Sequence, residues 1–428
     1  MPIPFLASLV FDGLPPWMPE PMNIVKYTTA ITAIAFTKWY TSGTSNPAEC
    51  DLHGRVVLIT GGTSGIGAVT AFELARCGAQ IVLLTHAPSD DPFLVEFVQD
   101  MRERTANQLI YAEQVDLSSL HSIRQFATRW IDNVPPRRLD TIILCGATLT
   151  PPGSARTETA EGIETTWMVN YLANFHLLGI LSPAIRAQPF DRDLRIIVPT
   201  CSAYIASPPL DKVLDKKDWS PKRAYARSKL ALMVFAKTYQ KHLDSYKRPD
   251  KLPMNARIIM VDPGLTRTPG MRRWITRGSI WGLLVYMVLY ALSWLFMKSS
   301  YMGAQSILFA AMDSSVGPGR GAGGKLIKEC MMVDCARKDL DDEEVAKKLW
   351  EASDKLIEET EKLQAAKRAK AKKEEEKRKE EAKRVEQVEE IEALVESIKM
   401  GKAKEAAAQK GGSKGAKKSK SGAKTAAK

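Results

Sequence analysis

A Rossmann-type doubly wound α/β fold, an open parallel sheet with helices on both faces, is predicted by three observations in this 428-residue chain. Short, continuous apolar runs rich in β-branched residues recur from Leu52 onward. Helical stretches separate them, and a glycine cluster follows directly on the first run. Continuous apolar strands, rather than alternating ones, are what a sheet buried on both faces requires. Hydrophobic residues make up 45% of the chain, which is enough for a sizeable core.

The elements follow in order. Residues 1–50 read as an N-terminal extension with a Pro-rich start, PPWMPEP, and a mildly apolar run from Ile24 to Phe36. That run could associate with a membrane, but it lacks the basic leader and small-residue cleavage site of a secretory signal. Residues 51–335 hold the α/β domain. Arg55–Thr60 (RVVLIT) is its first strand, and AVTAFELARCG a helix ending at Gly78. Gln80–Thr85 (QIVLLT) is a strand followed by a helix to Asn107; Ile110–Val115 is a strand followed by a helix from Leu117 to Trp130. TIILC at 141–145, a helix across 160–188, RIIV at 195–198, a helix through 223–243 and ARIIMV at 256–261 continue the alternation, and Lys325–Ile327 is a last strand.

Residues 336–400 read as a charged helical extension. Asp341 and Glu344 have capping-box spacing, and Leu349, Leu356 and Leu363 repeat every seven residues. Roughly three turns of Lys and Glu then interrupt the apolar seam, so a solvated helix is expected over a coiled coil. The lysine-rich tail at 401–428 is expected to be disordered.

The formal charge of +12 is concentrated in that tail, where nine lysines face one acid, Glu405. Only about +4 remains for the other 400 residues, which argues against a nucleic-acid-binding face. The six cysteines are scattered and read as reduced thiols, with no metal site expected.

TGGTSGIG at 60–67 sits between the first strand and the first helix. Gly61, Gly65 and Gly67 let the backbone turn tightly and approach a pyrophosphate at the helix N-terminus, beside Thr63, Ser64 and Ile66. AYARSK at 224–229 puts Tyr225 four residues ahead of Lys229. The GxxxGxG spacing and the motifs that follow it resemble the short-chain dehydrogenases/reductases over roughly residues 52–335. EGIETTWMVNYLANFHLL is similar to the retinol-dehydrogenase-like branch. The resemblance implies an NAD(P)-dependent oxidoreductase acting on CH–OH groups. It gives Asp116 to the adenine amino group, Asn170 to a proton-relay water, and Ser202 to the substrate carbonyl. Tyr225 and Lys229 become the proton-transfer pair, and Pro263, Gly264 and Thr268 the nicotinamide loop. A nearby ammonium favours phenolate, so Lys229 is expected to lower the pKa of Tyr225. Two departures stand out: Cys145-Gly146-Ala147 where the family has Asn-Ala-Gly, and Pro199 where it has Asn.

The second strand ends in Thr85-His86 without an acid for a ribose 2′-hydroxyl, so NADP(H) is favoured over NAD(H). An apolar insert at 280–297 holds 18 uncharged residues, about 27 Å as a helix. Because the chain must return to the same sheet, the insert is expected to enter and leave a lipid surface from one side, or to cap the substrate pocket. Fungal lipid-droplet-associated oxidoreductases resemble this layout. The expectation is therefore a lipid-droplet or endoplasmic-reticulum enzyme, on the cytosolic face, with a lipophilic substrate. The resemblance also allows a homodimer through the fourth and fifth helices. A second reading is a cofactor-binding scaffold acting through the charged C-terminal arm.

Overall fold

The computed structural model describes residues 21–210, 218–317 and 321–415. The chain divides into two compact units, Met1–Glu358 and Glu359–Lys428. The first contains eight strands: β1 Val56–Thr60, β2 Gln80–Thr85, β3 Ile110–Gln114, β4 Thr141–Leu144, β5 Leu194–Pro199, β6 Ala256–Asp262, β7 Leu326–Lys328 and β8 Met331–Val333. They form one sheet in the order β3-β2-β1-β4-β5-β6-β7-β8. All neighbours are parallel except the terminal β7–β8 pair. The strand order reverses between β1 and β4, which opens a crevice at their carboxyl ends.

The helices are α1 Pro21–Ser42, α2 Gly65–Arg76, α3 Pro92–Thr105, α4 Leu120–Ile131, α5 Thr165–Arg186, α6 Pro221–Ser245, α7 Pro269–Ile275, α8 Ile280–Val288, α9 Tyr290–Phe296, α10 Ser300–Met312 and α11 Glu343–Gly415. Alternate residues of each strand feed two cores. Leu58, Val82, Ile142 and Ile196 pack under α4, α5 and α6, which contribute Phe126, Leu178 and Phe235. Ile59, Leu83, Ile143 and Ile197 pack under α2, α3 and α10, which contribute Leu74, Val98 and Ile307. A period of two with both faces buried explains why the strands read as unbroken apolar runs.

Among the described residues, α5 alone is long and apolar enough to cross a membrane, but 67% of its apolar window is buried inside the protein. It is a core helix, and its residues Met168–Leu172 form one π-helical turn.

Several elements differ from expectation. α1 was not anticipated as a helix, because its apolar residues lie on all sides and most remain exposed. The short edge strand β8 left no pattern in the sequence. The apolar insert is two helices broken at Leu289. A straight helix of about 27 Å would carry the chain away from its starting point. Here Lys298 returns to the loop it left, its N–H donating to Leu265 O (2.9 Å) and its carbonyl accepting from Arg267 N (2.9 Å). Asp342, not Asp341, caps α11 by accepting from Glu344 N at 2.9 Å; Asp341 instead pairs with Lys237. The tail expected to be disordered from Gly401 is helical to Gly415, in keeping with the helix propensity of AKEAAAQK. Residues 416–428, and residues 1–20 of the N-terminal extension, lie outside the described residues.

The first turns of α11 close the outer face of α5 and α6. Trp350 stacks among Phe175 (5.1 Å), Phe235 (5.7 Å) and Tyr239 (6.4 Å). Leu349 and Ile357 are buried beside it, and Ser353 Oγ shares a 2.7 Å hydrogen bond with Tyr171 Oη. These first turns thus cover part of the outer face of α5 and α6. Trp350→Ala is expected to lower unfolding stability by about 2–3 kcal/mol, read from the denaturant midpoint. A midpoint shift within error would show that this helix start contributes no packing.

Candidate active site

β1 delivers the chain into Gly61, whose φ of +65° suits glycine. A Cβ on Gly61 would lie 2.8 Å from Gly146 Cα, and one on Gly67 would lie 2.3 Å from Gly61 O. The backbones of the first turn and of the segment after β4 are therefore in direct contact. Thr60 Oγ1 locks them by accepting from Gly146 N at 3.0 Å. That bond accounts for Cys145-Gly146-Ala147. Small residues keep the approach close, and a side chain at Gly146 would strike Leu117 Cδ1 at 2.5 Å.

A cavity of about 560 Å³ opens at these carboxyl ends. Gly61, Ser64, Gly65, Ile66 and Gly67 form its floor, and Pro263, Gly264 and Thr268 its far wall. Thr268 also caps α7, accepting from Met271 N at 3.2 Å. Ser202, Tyr225 and Lys229 line the same cavity. β5 positions Ser202 just past its end, and the face of α6 carries Tyr225 and Lys229 one turn apart. Lys229 is buried, and its ammonium donates to Pro199 O at 3.0 Å. Tyr225 Oη lies 3.7 Å from Cys201 Sγ. Ser202 Oγ donates to Asp262 Oδ2 at 2.7 Å.

Four expected residues lie off this cavity. Thr63 is in the glycine turn, and His86 is exposed at the end of β2 with its carbonyl accepting from Gln114 Nε2 at 3.4 Å. Asp116 follows β3 and accepts from Ser118 N at 2.8 Å. Asn170 sits in the π-helical turn of α5, fully buried. Its Oδ1 accepts from Thr148 N (2.7 Å), while its Nδ2 donates to Thr148 O (3.0 Å) and Ser228 Oγ (3.2 Å). The side chain is thereby engaged in bracing the loop after β4 and the Tyr225 helix. Asp262, Cys201, Met271 and Trp274 are cavity residues that sequence reasoning missed. Asp262 was legible as the first letter of DPGLTRT; the others carry no signal.

The segment 55–277 matches the sequence profile of the short chain dehydrogenases. Uncharacterized oxidoreductase pbr1 of Schizosaccharomyces pombe is 40% identical over 380 residues, covering 86% of this chain and 98% of the relative. The chain belongs to the short chain dehydrogenase family. Human Retinol dehydrogenase 13 is 30% identical over 334 residues, 77% of this chain and 92% of that protein. A solved structure from Mycobacterium Paratuberculosis covers 74% of this chain with a TM-score of 0.52 at 23% identity, a likeness of fold.

A short chain dehydrogenase uses a nicotinamide dinucleotide, and the residues present here fit one. The contact of Gly61 with Gly146 leaves backbone, not side chain, facing the turn at the α2 N-terminus, which suits a pyrophosphate. Gly61, Ser64, Gly65, Ile66 and Gly67 would hold that end, and Pro263, Gly264 and Thr268 the nicotinamide end. Bound there, the nicotinamide supplies or takes up the hydride. The chain itself handles the proton.

Its electrostatics correct one expectation. Burial above all, then the Cys201 thiol and the Asp262 carboxylate, raises the Tyr225 pKa well above the ordinary value of about 10. Lys229 Nζ lies 5.9 Å from the Tyr225 ring centre while donating to Pro199 O, and burial lowers its own pKa as well, so burial dominates both groups. In the chain by itself the shift favours the neutral phenol, the form able to donate a proton to a carbonyl oxygen. Carbonyl reduction should accordingly be flat through neutral pH and fall only above the raised pKa, whereas alcohol oxidation should climb as the phenol ionises. Tyr225→Phe should lower kcat at least about 100-fold in both directions. Reductive kcat that falls between pH 6 and 8 would contradict the neutral-acid assignment.

Proposed function

We propose that this chain is an NADP(H)-dependent oxidoreductase interconverting carbonyl and alcohol on a lipophilic substrate of retinoid, sterol or fatty-aldehyde type. It takes that substrate from a lipid surface, on the cytosolic face of the endoplasmic reticulum or on a lipid droplet. One observation carries the substrate class. Met271 and Trp274 of α7 line the catalytic cavity, and α7 leads directly into the exposed apolar helices α8 and α9. Ile280, Trp281 and Val288 are 79%, 78% and 81% exposed, a degree unusual for such residues without a partner.

α1 lies alongside this insert. Lys38 Nζ donates to Trp294 O (2.7 Å) and sits 4.9 Å from the Trp294 ring centre, and Thr41 Oγ1 donates to Leu295 O (2.6 Å). Ile31, Phe36 and Trp39 of α1 are also exposed, so two segments far apart in sequence present one apolar surface. Trp281, Tyr286, Tyr290 and Trp294 are residue types suited to a membrane–water boundary. The insert leaves and returns on one side, which fits a leaflet or a droplet monolayer. Retinol dehydrogenase 13, by its name, acts on a lipophilic alcohol.

Cofactor preference follows from the end of β2. Asp91 accepts from Phe93 N (2.9 Å) and Leu94 N (3.1 Å) as the cap of α3, so its carboxylate is engaged there. His86, exposed just past β2, occupies the position where the resembling subgroup often carries an arginine for the 2′-phosphate, which supports NADP(H) over NAD(H). The convergence of Ser202, Tyr225 and Lys229 on one cavity favours turnover over the scaffold reading.

Titration of the full chain should give a lower Kd for NADPH than for NADH, and His86→Asp should reverse the order by placing a carboxylate against the 2′-phosphate. An unchanged ratio in the variant would remove His86 from cofactor choice. Retinal or decanal carried in phosphatidylcholine vesicles should be reduced by wild type. The triple variant Trp281→Ser, Leu284→Ser, Val288→Ser should fail to float with the vesicles and lose most activity on vesicle-borne substrate, while retaining activity on detergent-dispersed substrate. Equal flotation of both proteins would exclude the insert as the docking element.

A further inference from the structure

The buried carboxylate of Asp262 ends β6 inside the catalytic cavity, and no expected role used it. Its Oδ1 accepts from Gly264 N at 2.9 Å, which fixes the carboxylate against the start of the nicotinamide loop. Its Oδ2 accepts the Ser202 hydroxyl at 2.7 Å, a charge-assisted length for O–H···O⁻. Among the described residues its ion-pair partner is the Lys328 ammonium, 3.9 Å from Oδ2 on a side chain that is about half exposed. A serine hydroxyl has one hydrogen to donate and two lone pairs to offer. With the hydrogen committed to Asp262, Ser202 Oγ offers the cavity only lone pairs.

We infer that Asp262 is a positioning residue that sets Ser202 as a hydrogen-bond acceptor, so that the resting site binds the hydroxyl of an alcohol in preference to the oxygen of a carbonyl. This deepens the oxidoreductase reading and rests on it. An alcohol donates its O–H to Ser202 Oγ while its oxygen accepts from Tyr225. A carbonyl has no hydrogen to give, so it gains a bond from Ser202 only if the Ser202–Asp262 bond first breaks. No bond is made or broken covalently in this selection, so it acts on ground-state binding. The ratio of kcat/KM in the two directions stays tied to the overall equilibrium, and the effect appears in the separate binding constants.

The test uses the full chain with NADP(H) and decanol and decanal as the probe pair. KM is measured for each, together with product-inhibition constants. In wild type, decanol should bind more tightly than decanal. Asp262→Asn keeps the shape and an oxygen for Gly264 N, but removes the charge and can donate to Ser202, freeing its hydrogen. The variant should weaken decanol and tighten decanal, shifting their ratio of binding constants by about tenfold, the effect of one neutral hydrogen bond lost to decanol and one gained by decanal.

The same substitution in a Ser202→Ala background should leave the ratio unmoved, which a merely structural role for Asp262 would not predict. Asp262→Ser, smaller and neutral, gives the same readout should the Asn variant fail to fold. An active wild type whose Asp262 variants weaken both probes by the same factor overturns the inference alone. A wild type inert toward both probes with either cofactor overturns the oxidoreductase reading and the inference with it.

Discussion

A lysine ammonium almost wholly removed from water must find acceptors inside the protein, and Lys229 finds the carbonyl of Pro199. That bond ties α6 to the end of β5. It holds Tyr225 one helical turn away and Ser202 three residues beyond the carbonyl. It also explains how a proline is accommodated in a central strand. Proline lacks an N–H, which would break a ladder in mid-strand. Pro199 is the last residue of β5, where only its carbonyl is needed, and the next residue resumes pairing as Thr200 N donates to Val261 O at 2.7 Å. Carbonyl, phenol and hydroxyl thus hang from one strand-to-helix junction.

The exposed apolar insert and the cavity share a second junction. The insert starts and ends against the nicotinamide loop. Arg267 bonds to Tyr290 Oη at 2.8 Å, Ser300 Oγ donates to Arg267 O at 3.1 Å, and Thr266 bridges to Lys298. Lys298 pairs with Glu329, whose second oxygen accepts from Thr44 N at 3.0 Å, just past α1. Both exposed apolar segments are therefore anchored near the loop that contains Gly264. A surface load on α1 or on the insert is applied to the loop that receives the nicotinamide, not to a remote appendage.

What was legible in the sequence was local. The strands could be read because two cores demand apolar residues on both faces, and the glycine turn because its conformation admits few other residues. Tyr225 and Lys229 could be placed because helical spacing fixes their common face. What was hidden depends on partners remote in sequence. Trp350 became meaningful only once Phe175 and Phe235 converged beneath it. The break at Leu289 follows from the need to return Lys298 to Leu265. The Tyr225 expectation was overturned for the same reason: four-residue spacing puts an ammonium near a phenol but does not say how deeply both will be buried.

The two buried charges that line the cavity have opposite sign, Lys229 and Asp262. A single uncompensated charge in such a cavity would cost several kcal/mol and draw in water or a counter-ion. With buried charge of both signs present, much of the remaining lining is apolar, as at Leu149, Leu265, Met271 and Trp274. Water that entered would compete for Ser202 and Tyr225, the groups that must face the substrate oxygen. An uncharged substrate displaces that water from the apolar part of the lining at little electrostatic cost, whereas an ionic one would have to leave its solvation behind there.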